Sequence, residues 1–361
     1  KQTIMNTLEM LQELEAMGVQ TNATPPMGTG KTGEGAELVP SQVFMQEVFD
    51  MVPAMSKLMG MLPGNHSANG RRLPKVATVP LLGEAPFFSA GSEKTSGAFA
   101  VSAGTTAPTG EITITQKKYT LKFDVTEDLD TFSEYPEELK TALQERIGKS
   151  MARTLEATII NADAETGATG NVNTDDQLPV AGSYFLGADH GIRELAINNS
   201  YGVNVGALSI SDFTDVMAVL GDYGADPEDC LWIFNRKTYL KAMSLSDFAD
   251  ASKAGKEATT SSGAMTNVFG SDLIVGRDVN LTEADGKMSG ATPGDNTLGQ
   301  FLYIWKPAVQ FGFGKDLQIK ILDFGSDGYQ LHAWYHFGFG IFNKDAGATD
   351  PAVAVGYNVT V

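Results

Sequence analysis

The chain has 361 residues, about two domains' worth at ~150 residues each, and only 19% of them are charged. Its formal net charge is −18, from 26 Lys and Arg against 44 Asp and Glu, which excludes the basic footprint of a dedicated nucleic-acid binder. A single cysteine, Cys230, excludes an intrachain disulfide framework and a cysteine-based zinc site, and no run of 18 apolar residues marks a membrane span.

In chain order, residues 3–17 are predicted to form an amphipathic helix. Ile4, Leu8, Leu11 and Leu14 recur at helical spacing and Gly18 stands where a helix stops. At about 15 residues it is marginal alone and needs a surface to lie on. A Gly/Thr/Pro linker follows over 19–37, so this end reads as an arm, a docking helix on a tether. Residues 41–62 carry a second helical pattern (Val43, Phe44, Val48, Met51, Met55, Leu58) that Pro53 must kink or break.

Val76–Leu82 and Glu111–Val125 read as strands. Between them, residues 83–110 are almost all Gly, Ser, Ala, Thr and Pro, with Phe87, Phe88, Phe99 and Val101 as the bulky exceptions. Two strands with so long a tip make a projecting ribbon, which is not stable by itself and is expected to lie on another copy of the chain.

Residues 136–162 give the plainest helix. Pro136, Glu137 and Glu138 suit a first turn, and Leu139, Leu143, Ile147, Met151, Leu155 and Ile159 follow four apart. At ~1.5 Å per residue it would reach ~40 Å. Arg146, Lys149 and Arg153 form a basic stripe beside that row, with Glu145 and Lys149 spaced for an i,i+4 pair. A solvated face explains the stripe as simply as contact with an acidic neighbour does.

Beyond it, helices are predicted over Ser209–Tyr223 and Lys237–Phe248. Strands are predicted at Leu231–Phe234, Leu273–Val275, Leu298–Trp305, Leu317–Leu322 and Tyr329–Phe342. Cys230 opens the first of these apolar runs and reads as a buried small hydrophobe.

Motifs with chemical meaning are weak. Met27-Gly28-Thr29-Gly30-Lys31-Thr32 has the outline of a phosphate-binding loop. However, Pro25 occupies the first glycine position, and neither a strand before nor a helix after is visible. His332 and His336 lie in a strand-like run, where four residues span ~13 Å, too far to share an ion. Asp278-Val279-Asn280-Leu281-Thr282 lacks the glycine of a calcium loop at the sixth position and has Ser289 where its glutamate is required. No catalytic constellation stands out, so no enzyme activity, cofactor or metal is expected.

The order of these pieces resembles the tailed-bacteriophage major capsid proteins of the Hong Kong 97 type over about residues 34–342. Gly35-Ala36-Glu37-Leu38-Val39-Pro40 with the helix ending in Ser56-Lys57-Leu58 is similar to the family's Leu-Val-Pro lead-in. Leu73-Pro74 and the following ribbon resemble its extended E-loop. Tyr119–Val125 leading into Thr126-Glu127-Asp128-Leu129 resembles the step before the spine helix, which 136–162 resembles in turn. Trp232-Ile233-Phe234-Asn235 and Phe269-Gly270-Ser271-Asp272-Leu273-Ile274-Val275 look like the centre of the axial domain. The ribbon departs from the family at Pro86-Phe87-Phe88, so no inter-subunit crosslink is carried over to Lys94.

The resemblance implies an α+β Hong Kong 97-like capsid fold. It divides the chain into an N-terminal arm and linker (1–40), a helical segment (41–72), an E-loop ribbon (73–118), a peripheral domain with the spine helix 136–162 (119–205), a mixed α/β axial domain (206–297), and return strands with a C-terminal tail (298–361). It implies a structural subunit that self-assembles into hexamers and pentamers of an icosahedral or prolate shell around a phage dsDNA genome, without sequence-specific binding. Such a subunit belongs to the virion, is assembled in the bacterial host cytoplasm, and has portal, scaffold and decoration proteins as further partners. Subunit contacts are expected at Ile4, Leu8, Leu11, Phe87, Phe88, Lys94, Phe99, Arg146, Lys149 and Arg153. An encapsulin-like nanocompartment shell shares the fold and is the alternative; a nucleotide-binding enzyme using Lys31 is a distant one.

Overall fold

The structure, a computed structural model, describes residues 56–66, 72, 74–82, 109–125, 136–164, 170–174, 190–250, 263–323, 329–342 and 351–361. The expected arm helix and linker, Lys31, residues 41–55 and the ribbon tip with Phe87, Phe88, Lys94 and Phe99 lie outside the described residues.

The described chain begins with α1 (Lys57–Met61), whose N-cap is Ser56; the Ser56 hydroxyl accepts from the Met59 N–H at 3.2 Å. Strand β1 (Gly64–Asn65) follows, then β2 (Val76–Leu82), β3 (Thr109–Thr115) and β4 (Lys117–Val125). The long helix α2 runs over Pro136–Asn161, close to the predicted 136–162. Next come α3 (Ile192–Asn198), β5 (Gly202–Gly206), α4 (Ile210–Val219), β6 (Cys230–Phe234), α5 (Arg236–Met243), α6 (Ser246–Ala249), β7 (Asn267–Val268) and β8 (Ser271–Val275). The chain closes with β9 (Gly299–Trp305), β10 (Val309–Asp323), β11 (Tyr329–Ile341) and β12 (Val353–Val359).

Three sheets result: β1-β10-β11-β4, β5-β12-β9-β6-β8-β7, and the two-stranded ribbon β2-β3. In the first, β10 and β11 pair so that Phe311 faces Phe339, Gly312 faces Gly338 and Phe313 faces Phe337. Side chains alternate across a sheet, so the paired phenylalanines and the paired glycines lie on opposite faces. The phenylalanines, with Ala333 and Tyr335, share one core with Ile147, Met151, Leu155 and Ile159 of α2. That is the i,i+4 row anticipated from the sequence, where the structure describes its side chains.

The bare face receives the ribbon. A Cβ on Gly338 would stand 2.8 Å from Ile114 Cγ2 and 2.9 Å from the Thr115 carbonyl oxygen, so only glycine permits this approach. Ile114 is fully buried, in a small core with Ala77, Ala308, Phe342 and Ala352. The ribbon pairs antiparallel from Val76 opposite Thr115 to Leu82 opposite Thr109.

The central strands of the six-stranded sheet, β6, β9 and most of β12, are buried on both faces, which explains their near-continuous apolar runs. Leu231, Ile233, Leu302 and Ile304 join the core of α2, whereas Cys230, Trp232, Phe234, Phe301 and Tyr303 face a second core with α4 and α5. There Phe213 of α4 stacks on Phe301 at 5.4 Å, and Trp232 lies 4.1 Å from Tyr303. Asp212 fixes the start of α4 by accepting from the Ser209 N–H and hydroxyl, both at 2.6 Å.

Four sequence expectations are corrected. The single strand over 111–125 is two, because the chain changes partners at Gln116: β3 pairs with β2, whereas β4 pairs with β11. The helix 237–248 is interrupted where the Ser244 hydroxyl donates to the Lys241 carbonyl at 2.7 Å, a local bond that competes with helix continuation. The helix 209–223 stops at Val219 and gives way to a 3-10 turn over Gly221–Gly224. The expected C-terminal tail contains strand β12, parallel to β5 and antiparallel to β9, inside the six-stranded sheet. Gly356 breaks the apolar pattern of that strand for a packing reason: a Cβ there would lie 2.3 Å from Phe301 Cζ.

Two outcomes are expected. Gly338→Leu should cost about 1–3 kcal/mol by overpacking against Ile114 and Thr115. Amide exchange should show the loss concentrated in β2 and β3; uniform acceleration over all strands would contradict a seat local to the ribbon. Burial, with a smaller contribution from Tyr119, pushes the Tyr335 hydroxyl well above its ordinary value. The folded chain therefore keeps this proton after the unfolded chain releases it near pH 10, and stability is lost as pH rises beyond that. Tyr335→Phe should move the midpoint of alkaline unfolding to higher pH.

Candidate assembly surfaces

The basic stripe of α2 divides in the structure. Arg146 is exposed, with no ion-pair partner among the described residues. Lys149 pairs with Glu145, one helical turn away, and Arg153 lies 3.3 Å from the Asp278 carboxylate. Lys149 and Arg153 also line one side of a groove of about 460 Å³, to which Lys57 of α1 and Arg277, after β8, bring two more cations. Its floor is apolar, with Leu58, Ala152, Ile160 and Ile274 all buried, and Val275 is exposed at its edge.

Among the described residues, one carboxylate, Glu156, lines the groove. It is occupied with holding α1 in place, accepting from the Ser56 hydroxyl at 2.9 Å and the Leu58 N–H at 3.1 Å. The groove thus sets four cations around an apolar floor. Sequence reading found two of them; Lys57 and Arg277 come together with the others only through the fold. The signal available for Arg277 is its place directly after the apolar strand, in Gly276-Arg277.

A buried polar cluster fixes the far end of α2. Arg193 is completely buried and donates to Asn161 Oδ1 at 2.7 Å, Asn173 Oδ1 at 3.0 Å and the Val172 carbonyl at 3.3 Å. Asn161 in turn donates to the Asp278 carbonyl at 2.7 Å, and Asp163 accepts from the Val172 N–H at 2.8 Å. Burial lowers the Arg193 guanidinium to about 10, against the opposing pull of Asp163. It remains charged at neutral pH. This cluster ties the helix end to α3 and to the turn beside the groove, and nothing in the residue spacing announced it.

Asp278, read above as a poor calcium-loop match, is engaged by Arg153, and Ser289 bonds Thr292 and Asn296 within its own turn. His332 and His336 lie on β11. Among the described residues no group of three or more His, Cys, Asp or Glu is placed to hold a metal ion, and no helix is long and apolar enough to cross a membrane.

Arg193→Met should destabilise the fold by about 3–5 kcal/mol, because it leaves the Asn161, Asn173 and Val172 oxygens buried without their donor. Denaturant melts measure this; a loss below ~1 kcal/mol would mean that water replaces the guanidinium.

The family described as phage capsid protein matches residues 109–349. Among solved structures, the satellite phage P4 procapsid that includes the size determination protein superposes with a TM-score of 0.55 at 9% identity, covering 98% of each chain. A structure of Gordonia phage Cozz gives 0.53 at 13% identity, covering 94% of this chain and 98% of that one. The capsid of an empty GTA particle gives 0.50 at 15% identity, covering 84% and 90%. No curated protein matches the sequence.

Proposed function

This chain belongs to the phage capsid protein family, and from that membership we propose that it is the major subunit of a self-assembling phage shell. Its fold is the Hong Kong 97-like capsid fold, and its role is structural rather than enzymatic. On our reading, copies form hexamers and pentamers of an icosahedral or prolate capsid that encloses a dsDNA genome and is assembled in the bacterial host cytoplasm. The family match over about two thirds of the chain carries this reading.

The peripheral domain, on this proposal, is built on 119–205 around α2, and the axial domain on 206–297 with the return strands. The arm (1–40) and an E-loop formed by 73–118 would reach neighbouring copies, placing Ile4, Leu8, Leu11, Phe87, Phe88, Lys94 and Phe99 at contacts, with Arg146, Lys149 and Arg153 meeting an acidic neighbour. The seat at Gly338 supports the ribbon's part: its base is held by the subunit's own sheet, so its tip can bear load from a neighbour. The charge of −18 supports enclosure without adhesion, since a like-charged lining does not grip DNA. Portal, scaffold and decoration proteins complete the expected partners.

Light scattering with negative-stain microscopy on the full chain, alone and co-expressed with the neighbouring phage structural genes, should show closed particles tens of nanometres across. A monomer under every condition overturns the reading. Deleting residues 1–20 should leave the melting of the unassembled subunit unchanged and lower particle stability. Equally stable shells from the truncated chain would remove the arm from the mechanism.

A further inference from the structure

At the hairpin between β7 and β8, Val268 pairs with Ser271, so Phe269 and Gly270 form a two-residue turn. Both have positive φ, 51° at Phe269 and 85° at Gly270. That turn type suits two residues such as Asn-Gly, and a bulky side chain in its first position is a genuine outlier. The turn is nonetheless held, because Asn267 Oδ1 accepts from the Gly270 N–H at 2.9 Å, and a Cβ on Gly270 would stand 3.3 Å from Pro227 Cβ. Phe269 gains only partial burial in exchange. It is 43% exposed, one of the few large apolar side chains so presented among the described residues. A strained backbone that holds an aromatic ring out in water is explained by what the ring meets.

The residues around that ring are mainly acidic; Lys306 also lies there, its Nζ donating to the Glu228 carbonyl at 2.7 Å and to the Asp272 carboxylate at 2.9 Å. Pro227, which a Cβ on Gly270 would meet, lies within Asp226-Pro227-Glu228-Asp229, whose three carboxylate side chains are exposed. The tip is therefore an apolar anchor flanked by negative charge. The groove beside α2 is its converse, an apolar floor within reach of Lys57, Lys149, Arg153 and Arg277. Lys57 and Arg277 have no ion-pair partner among the described residues.

We propose that the Phe269 hairpin of one copy docks in this groove on the next copy, its acids meeting Lys57 and Arg277 and its ring meeting Val275 and the apolar floor. The contact is necessarily between copies. Strand β8 starts at the hairpin with Ser271 and ends at the groove with Val275, so a rigid strand roughly 13 Å long separates the two surfaces. Two complementary surfaces at opposite ends of one rigid element make a head-to-tail contact, which generates a ring when its rotation closes. The inference rests on the shell reading and specifies which surfaces build the ring.

Three variants of the full chain test it. Lys57→Glu with Arg277→Glu, and separately Asp226→Lys with Asp229→Lys, should each lower the yield of closed particles roughly tenfold, and all four together should recover it to within about threefold. Phe269→Gly should lower assembly while the subunit melts at the same or a higher temperature, because glycine relieves the positive φ. Phe269→Cys with Val275→Cys should give a ladder of disulfide-linked oligomers on a non-reducing gel. Parent-like particle yield from the charge-reversed pairs, no recovery in the combined variant, or only monomers on the gel overturns the contact and leaves the shell reading standing. Absence of particles from the parent chain overturns the shell reading, and this contact with it.

Discussion

The two-residue rhythm of glycine and phenylalanine in β10 and β11 constrains much of the architecture. Pairing Phe311 with Phe339 and Gly312 with Gly338 makes a ladder that is thick on one side and bare on the other. The thick side supplies the rings that the long helix packs on. The bare side lets another backbone come within contact distance, which a sheet with side chains on both faces would prevent. One ladder thus decides where the helix lies and where the ribbon departs. Phe337→Ala would be felt by α2, whereas a change at Gly338 would be felt by the ribbon.

The six-stranded sheet follows a different logic. It is sandwiched between two apolar cores, so every residue from Cys230 to Phe234 is buried. Polar requirements are met at its margins. Trp232 donates its indole N–H to the Val268 carbonyl at 3.2 Å, and Ser271 bonds Tyr303 at 3.0 Å. The Arg193 cluster has the same role at the end of α2, where an orphaned helix terminus would otherwise face the interior. These devices stiffen the frame on which the surfaces of contact sit.

Much of the frame was legible in the sequence. The i,i+4 row of α2, the buried run at Cys230 and the first ribbon strand, Val76–Leu82, are local patterns, and each appears where its period placed it. What was not legible is non-local. Strand β12 is interrupted by Gly356, and that glycine makes sense only beside Phe301, more than fifty residues earlier. The run 111–125 divides because its two halves pair with different strands, β3 with β2 and β4 with β11. A hint was present there, since the apolar phase moves from Ile112 and Ile114 to Leu121, Phe123 and Val125, from even to odd positions. The groove shows the same limit: Lys149 and Arg153 could be read from one helix, while Lys57 and Arg277 reach it from segments about a hundred residues before and after.

The position of β12 also has a consequence for the order of synthesis. Among the described residues, strand β5 bonds to no strand but β12, so this edge of the six-stranded sheet stays open until residues 353–359 have left the ribosome. Pairing across some 150 residues is slow, because loop closure precedes any gain from contact. A nascent chain therefore carries its hairpin and its groove on an unfinished frame. Copies made side by side on one messenger do not present completed surfaces to each other until each has been translated through that strand.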